Sequence, residues 1–129
     1  MSCKVLVFDF MKNFAEEFKQ RTKLFALEII KFSRTLSKTD EALIIKEQLL
    51  RSSFSVAANY RAVCRARSDA EFYSKLCIVV EEADESVFWL EILIESEINS
   101  GQQSKTLLKE MNEILAIVSK SKKTFKLNQ

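Results

Sequence analysis

The chain has 129 residues, 47% of them hydrophobic and 29% charged, a balance that predicts one folded domain and excludes a disordered chain. One glycine, no proline and no histidine argue against an all-β fold and exclude histidine-based catalysis and the common zinc and di-iron sites. Twenty basic and 18 acidic residues give a net charge of +2, a smaller excess than dedicated nucleic-acid binders carry.

The first predicted helix spans about residues 14–36, where apolar residues recur at the spacing of one helix face. They are Phe14, Phe18, Phe25, Ile29, Phe32 and Leu36, widened by Leu24, Leu27 and Ile30. The apolar stretch before them is interrupted by Asp9 and has no small-residue cleavage site, so it does not resemble a signal peptide. We therefore divide the chain into an N-terminal arm without an assigned structure (1–13) and a bundle with a short basic C-terminal end (14–129).

The second predicted helix spans about residues 41–65, with Thr39 as its N-cap. We place its core stripe on one apolar face. The stripe consists of Leu43, Leu50, Phe54, Ala57 and Cys64, widened by Leu49, Val56 and Val63. Small side chains between Ser52 and Ala62 predict that another helix packs closely against this segment.

A third helix is predicted over about residues 69–98 and begins with a capping box formed by Ser68 and Glu71. One apolar face consists of Phe72, Leu76, Val79, Ala83, Leu90 and Ile94, and a second consists of Tyr73, Val80, Val87, Trp89 and Leu93. A helix that is apolar on two faces usually has two sets of neighbours. The second face, together with Asn59 of the second helix, is therefore our candidate subunit interface.

Gly101 suits the left-handed conformation that ends a helix, and a fourth helix is predicted to begin near Ser104. Its apolar face is marked by Leu108, Met111, Leu115 and Val118. Four helices of about 20–30 residues joined by short connections predict an all-α, antiparallel up-down-up-down four-helix bundle.

Three cysteines, Cys3, Cys64 and Cys77, form no paired framework. We expect reduced thiols and a cytoplasmic location, with Cys64 and Cys77 in the core. No apolar run approaches the ~20 residues that span a membrane. The acidic third helix predicts a solvated or ion-paired face, although Glu82 and Glu85 are also a weak candidate for a Mg²⁺ site. We predict no cofactor, no resident metal and no catalytic residue.

Three motifs in the middle of the chain are specific: Ser-Val-Ala-Ala-Asn from Ser55 to Asn59, Arg-Ser-x-x-Glu-Phe from Arg67 to Phe72, and the later Trp89-Leu90. With them the chain resembles the four-helix-bundle proteins encoded in 23S rRNA intervening sequences, most strongly over residues 49–94. The resemblance implies a left-handed bundle that assembles as a ring-like homopentamer. It also implies a relation to accessory proteins of diversity-generating retroelements, which bind nucleic acid and a protein partner, a reverse transcriptase.

Two groups of basic residues are candidates for RNA contact. They are Arg51, Arg61, Arg65 and Arg67, and, near the end of the chain, Lys120, Lys122, Lys123 and Lys126. Arginine suits phosphate recognition, but these arginines could instead pair with the acidic third helix, for example with Asp69 or Glu71, or with the next subunit. The lysines could equally form a solvated helix end.

Asn59 lies inside a predicted helix, where a buried amide must be hydrogen-bonded across helices or across a subunit interface. Phe72, Tyr73 and Trp89 fit core or interface positions better than base stacking. Because no catalytic constellation is present, the first hypothesis is a non-enzymatic oligomeric scaffold or interaction module. The alternative is an RNA-associated protein, which rests on analogy with the family that the chain resembles.

Overall fold

A computed structural model of the chain describes the backbone of residues 3–127 and the side chains of residues 11–126. The chain forms four helices, α1 (Cys3–Ser33), α2 (Asp40–Cys64), α3 (Asp69–Glu95) and α4 (Gln102–Leu127), and residues 3–127 contain no strand. Each helix packs on the next one in the chain, and α4 closes the bundle against α1 over a smaller contact. The predicted all-α four-helix bundle is confirmed.

Aromatic contacts are consistent with the predicted antiparallel order of the helices. The rings of Phe18 and Tyr60 meet edge to face with centroids 4.7 Å apart, which places the first half of α1 beside the end of α2. Phe125, near the end of α4, packs on Phe72 and Tyr73 at the start of α3, with centroids 4.8 and 5.9 Å away. The handedness of the bundle stays a prediction.

Both predicted polar caps are confirmed. The Thr39 hydroxyl accepts a hydrogen bond from the Ala42 backbone N–H at 3.4 Å, and the Ser68 hydroxyl accepts one from the Glu71 N–H at 3.1 Å. The Glu71 carboxylate accepts from the Arg67 backbone N–H at 3.4 Å, one residue earlier than a capping box requires. These bonds satisfy donors that a helix start leaves free, so α2 and α3 both begin where the sequence placed them.

The start of α1 differs from the predicted one. The helix begins at Cys3 instead of near Phe14, because neither glycine nor proline interrupts the stretch before Phe14. The boundary proposed after residue 13 therefore falls inside a continuous helix. Residues 1–2 of the predicted arm lie outside the described residues.

Gly101 does not end α3, contrary to the prediction. The residue with a left-handed backbone is Glu97, at φ 63°, and the next residue, Ile98, packs against the core. Gly101 instead lies directly before α4, where its carbonyl oxygen accepts a hydrogen bond from the buried Ser104 hydroxyl at 2.9 Å. The single glycine of the chain thus starts a helix.

Replacing Glu97 by glycine is expected to stabilise the protein. A side chain in the left-handed conformation costs about 1–2 kcal/mol, and glycine avoids this cost but loses more conformational freedom on folding. We expect Glu97→Gly to raise the free energy of unfolding by about 0.5–1 kcal/mol in urea denaturation. Gly101→Ala is the control and should change it by less than about 0.5 kcal/mol, since a Cβ there would lie 3.6 Å from Asn99 Oδ1. A destabilised Glu97→Gly variant would contradict the expectation.

The core side of α1 follows the predicted stripe over most of its length. Its buried members are Phe18, Phe25, Ile29, Phe32 and Leu36. Phe14, the first member, is 44% exposed, and Leu24 and Leu27, which were predicted to widen the stripe, are 57% and 48% exposed. The apolar surface of α1 is therefore broader than the part that the other helices cover.

The prediction for α2 was wrong for the main members of its core stripe, which do not face the core, whereas Leu49, Val56 and Val63, predicted to widen the stripe, are buried. Leu43 and Phe54 are each 40% exposed, and Leu50 and Ala57 are half-buried. The core side carries Leu49, Val56 and Val63 together with Ala42, Ile45, Ser52, Ser53 and Tyr60. Small residues on this side made it look less hydrophobic than the outer side, although their small volume is what lets α3 pack against it.

Candidate interaction surfaces

The seam between α2 and α3 is the most extensive helix contact in the bundle, and it contains two fully buried serines. Ser86 Oγ lies 2.9 Å from both Ser52 Oγ and the Glu82 carbonyl oxygen. The Ser52 hydroxyl also lies 3.3 Å from the Leu49 carbonyl oxygen. Both hydroxyls are therefore satisfied inside the protein, and the predicted close packing at the small residues is confirmed.

Arg51, a candidate for RNA contact, pairs with the acidic third helix. Its guanidinium donates to Glu82 Oε2 at 2.9 Å, to the Glu85 carboxylate and to Gln48 Oε1 at 3.2 Å. The Trp89 indole N–H also donates to Glu85, at 3.2 Å. The two carboxylates considered for Mg²⁺ thus share an arginine, and Arg51 forms the pair with the acidic third helix that was the alternative to RNA contact. An RNA contact of Arg51 stays a prediction.

The other three candidate arginines, Arg61, Arg65 and Arg67, are exposed. Within residues 11–126 none of them forms an ion pair. Only the backbone N–H of Arg67 contacts Glu71, so the predicted side-chain pairs with Asp69 and Glu71 do not form inside the protomer.

The four candidate lysines lie on the last turns of α4, which continues to Leu127. Because Phe125 packs on Phe72 and Tyr73, these lysines share one end of the bundle with the α2–α3 connection. We call this surface the basic end; it consists of Arg61, Arg65, Arg67, Lys120, Lys122, Lys123 and Lys126. Tertiary packing thereby brings together two groups of basic residues that are more than 50 positions apart in the sequence.

Two residues of the predicted subunit interface belong to the core instead. Val87 is 7% exposed and Leu93 is fully buried, so neither has surface to offer another subunit, and the prediction is corrected for both. Tyr73, Val80 and Trp89 are half-buried. The two apolar faces of α3 are largely covered within the protomer because α3 has a neighbour on each side, α2 and α4.

Asn59 makes a local contact instead of the predicted bond across helices. Its side-chain Nδ2 donates to the Ser55 carbonyl oxygen and lies as close to the Ser55 hydroxyl, at 2.9 Å in both cases. The amide donor of Asn59 is therefore hydrogen-bonded within α2, to a residue one turn earlier. A position in a subunit interface stays a prediction.

Arg21 was missed by the sequence reasoning, although it links α1 to α4 where the bundle closes. Its guanidinium donates to both oxygens of Glu110, at 2.7 and 2.6 Å, and to Glu113 Oε2 at 2.6 Å. The hydrogen bonds to Glu110 raise the pKa of Arg21 above its usual range, against the effect of burial. Glu110 and Glu113 are three residues apart and therefore lie on one side of α4. This spacing is the feature of the sequence that could have indicated a shared basic partner.

Two charged outer faces extend the sequence prediction, which named an acidic face on the third helix and Lys120 and Lys123 on the fourth but not Lys105 and Lys109. The acidic face of α3 surrounds the half-exposed Phe88 and consists of Glu81, Asp84, Glu91 and Glu95. The lysine face of α4 surrounds Asn112 and Ala116 and consists of Lys105, Lys109, Lys120 and Lys123. Like charges that recur at steps of three, four, seven or eleven residues could have indicated these faces from the sequence, since such spacings align side chains on one side of a helix.

The described part of the chain contains no grouping of three or more His, Cys, Asp or Glu side chains that could hold a metal ion. None of its helices combines the length and apolar character needed to cross a bilayer.

Cys64 is exposed, contrary to its predicted core position, and Cys77 is half-buried. The Cys64 thiol lies against α1, with its Sγ 4.0 Å from the Ala15 carbonyl oxygen. This partial burial raises the pKa of the Cys64 thiol above its usual range, and the effect of nearby Lys19 does not reverse the shift.

We expect the alkylation rate of Cys64 to have a pH midpoint above the ordinary thiol value of about 8.5, because the thiolate is the reacting form. Iodoacetamide labelling across a pH series, resolved for the Cys64 peptide by mass spectrometry, measures this midpoint. The same chain unfolded in denaturant is the control and should return the ordinary value. Equal midpoints in the folded and unfolded chains would contradict the expectation.

Comparison with known proteins gives two matches. A family model described as 23S rRNA-intervening sequence protein matches residues 16–120. The chain is also similar to a 1.70 Å crystal structure of a protein of unknown function from the S23 ribosomal protein family of Bacteroides thetaiotaomicron. The two chains are 31% identical, with a TM-score of 0.75, over 82% of this chain and 98% of the other. No curated protein matches the chain.

Proposed function

The chain belongs to the 23S rRNA-intervening sequence protein family, and from that premise we propose that it is a non-enzymatic scaffold assembled from several copies of itself. The observation that carries the proposal is exposed apolar surface. Eight large apolar side chains within residues 11–126 are at least 40% exposed. They are Met11, Phe14, Leu24, Leu27, Leu43, Ile44, Phe54 and Phe88.

The arrangement of these side chains supports assembly more than their number does. Single exposed apolar residues are normal on a protein surface, but grouped ones mark interaction sites. On α2, Leu43, Leu50 and Phe54 recur at steps of seven and four along one outer side, and Ile44, 61% exposed, lies next to them. The resemblance to the family implies that the assembly contains five copies in a ring.

A binding role is also favoured by how the polar side chains are used. Arg51 and Arg21 each bind two carboxylates and join neighbouring helices, while the buried serines bond to one another and to backbone groups. The chain has no histidine to act as a proton carrier near neutral pH. The side chains of Arg21, Arg51, Ser52 and Ser86 therefore serve packing and helix contacts.

Light scattering on a sizing column, with absorbance recorded at protein and nucleic-acid wavelengths, tests this function. We expect about five times the mass of one chain, without excess nucleic-acid absorbance. A monomer at all accessible concentrations would overturn the proposal.

A second candidate function is RNA association, and the basic end is the observation that favours it. Its seven cations form no ion pair within the described residues, so they are available to phosphates. Unpaired cations at one end of a bundle bind nucleic acid by releasing its counterions, which makes the affinity dependent on salt.

Replacing Lys120, Lys122, Lys123 and Lys126 together by glutamate is expected to abolish RNA binding at low salt. If only neutral replacements are made, the slope of log affinity against log salt should fall by about 3, from about 0.7 per lost phosphate contact on single strands. Filter binding or fluorescence anisotropy measures the RNA affinity at low salt and its dependence on salt. Glutamate at Lys23, Arg34, Lys38 and Lys46, which lie away from the basic end, is the charge-matched control. Equal loss in the control, or no loss in either variant, would reject this second function.

A further inference from the structure

We infer that the acidic face of α3 in one copy docks on the lysine face of α4 in the next copy, and that this head-to-tail contact builds the assembly. The inference rests on the proposed function, because it names the surfaces through which the scaffold would form. It is carried by the charge, the exposure and the register of these two faces.

The acidic face is a straight stripe along α3. Glu81, Asp84, Phe88, Glu91 and Glu95 follow one another at steps of three and four, so their side chains align on one side of the helix. None of the four carboxylates forms an ion pair within residues 11–126. Phe88, in the middle, is 49% exposed, and an apolar ring surrounded by charges is typical of an interface centre.

The lysine face is the counterpart on α4. Lys105 and Lys109 lie at one end of it and Lys120 and Lys123 at the other, and all four are exposed and unpaired within the described residues. A shallow depression starts at the first pair and extends to Ala116. It is lined by Lys105, Leu108, Lys109, Asn112, Glu113 and Ala116. An apolar floor bounded by lysine stems can accept a ring whose neighbours are carboxylates.

The register of the two helices places matching groups at equal heights. Since Phe125 lies beside Phe72 and Tyr73, the antiparallel run of α3 and α4 puts Phe88 level with Lys109. When two copies stand side by side with parallel bundle axes and no shift along them, Phe88 of one copy therefore meets the depression on α4 of the next.

The charged groups on either side of Phe88 match in the same register. Glu91 and Glu95 come level with the Lys105 and Lys109 end of the lysine face, and Glu81 comes level with the segment between Ala116 and Lys120. Asp84 comes level with Asn112 and Glu113, whose carboxylate is held by Arg21 of its own chain. The charge match is therefore concentrated at the Lys105 and Lys109 end, with Glu81 near Lys120 as a second point.

A second copy of the chain is the occupant that these observations favour. The two faces are on adjacent helices and point in different directions, so a contact between them is heterologous and repeats from copy to copy. Such a contact leaves no unused face only when the copies close into a ring. The same chain supplies both charges, so no other partner is required to neutralise either face.

Charge exchange tests the contact directly. The α3 variant carries Glu91→Lys and Glu95→Lys, the α4 variant carries Lys105→Glu and Lys109→Glu, and a third variant combines all four. We expect the first two to run at the mass of one chain in light scattering, and the combined variant to regain the mass of the native assembly. Lys23→Glu with Lys38→Glu, on other surfaces, is the charge-matched control and should keep the native mass. Circular dichroism confirms that each variant is folded.

Phe88→Ala tests the contribution of the apolar ring to the contact without changing any charge. This half-exposed side chain contributes little to the protomer core, so the variant should fold but need a protein concentration about tenfold or more higher to assemble.

The outcomes are distinguishable. A native protein that is monomeric rejects the proposed function and this contact together. A native assembly whose mass is unchanged in both exchange variants rejects the contact alone, and so does a loss of assembly that the combined variant does not repair. If the α4 variant releases bound RNA while its mass without RNA stays native, the lysine face binds nucleic acid and the contact is likewise overturned.

Discussion

Phe32→Ala is expected to lower the free energy of unfolding by about 3–5 kcal/mol. Phe32 is fully buried near the end of α1, so truncation removes the transfer energy of the ring and leaves a cavity that the tightly packed helices fill only in part. Urea denaturation at equal protein concentration measures the change, because the stability of an assembly depends on concentration.

Phe54→Ala is the matched control, since it deletes the same ring from a side chain that is 40% exposed. Its expected loss is below about 1.5 kcal/mol, because most of the large destabilisations arise from cavities in the core. The pair also tests the assignment of the α2 faces, since the sequence alone placed Phe54 in the core stripe. Equal losses in the two variants, at a protein concentration where both are monomeric, would contradict the structure at this point.

Ser86→Leu is expected to destabilise the protein by about 3 kcal/mol or more. The α2–α3 seam has no space at this position, where Ser86 and Ser52 are both fully buried and their oxygens lie 2.9 Å apart. A leucine would force the helices apart and would remove a hydrogen bond, and overpacking alone costs about 1–3 kcal/mol. Thermal or urea unfolding measures the loss.

Ser86→Ala distinguishes volume from hydrogen bonding in the same seam. Alanine keeps the helices close and removes only the hydroxyl, while Ser52 retains its contact with the Leu49 carbonyl oxygen at 3.3 Å. We expect a loss of about 1 kcal/mol. If leucine were tolerated as well as alanine, small volume would not be what this position requires.

The two candidate functions are compatible in one assembly, because five cations of the basic end, Arg61, Arg65, Arg67, Lys122 and Lys126, do not belong to the lysine face. In a ring of parallel copies, every basic end lies on the same side of the ring. Several weak phosphate sites on one scaffold then bind a long RNA much more tightly than a single site does. The net charge of +2 per chain therefore understates the positive charge that one side of the assembly would present to RNA.

Much of the fold was predictable because its signals are local. The caps at Thr39 and Ser68 depend on bonds that span only three residues, and the stripe from Phe18 to Leu36 has the strong periodicity of a helix with one buried side. The close packing at Ser52 was also predictable, since small side chains permit it in any helical partner. The family itself could be recognised from short motifs in the middle of the chain.

The errors have a common physical origin. Two sides of α2 carry apolar residues at helical spacing, and periodicity cannot say which side the neighbouring helices cover. In the same way, the amide of Asn59 had a bonding partner on its own helix as well as across helices, and Gly101 could end one helix or start the next. Val87 and Leu93 looked available for a second subunit because the sequence does not show that α2 and α4 flank α3.

The sequence by itself determined the helical class, the number of helices, the polar caps and the family, because each depends on residues that are near one another in the chain. Only the tertiary structure decided which side of α2 is buried, and which arginines are paired. It also brought Arg65 and the terminal lysines to one end and set Phe88 level with Lys109. These features depend on the relative placement of helices that are distant in sequence, and that placement follows from the simultaneous packing of all four helices around one core.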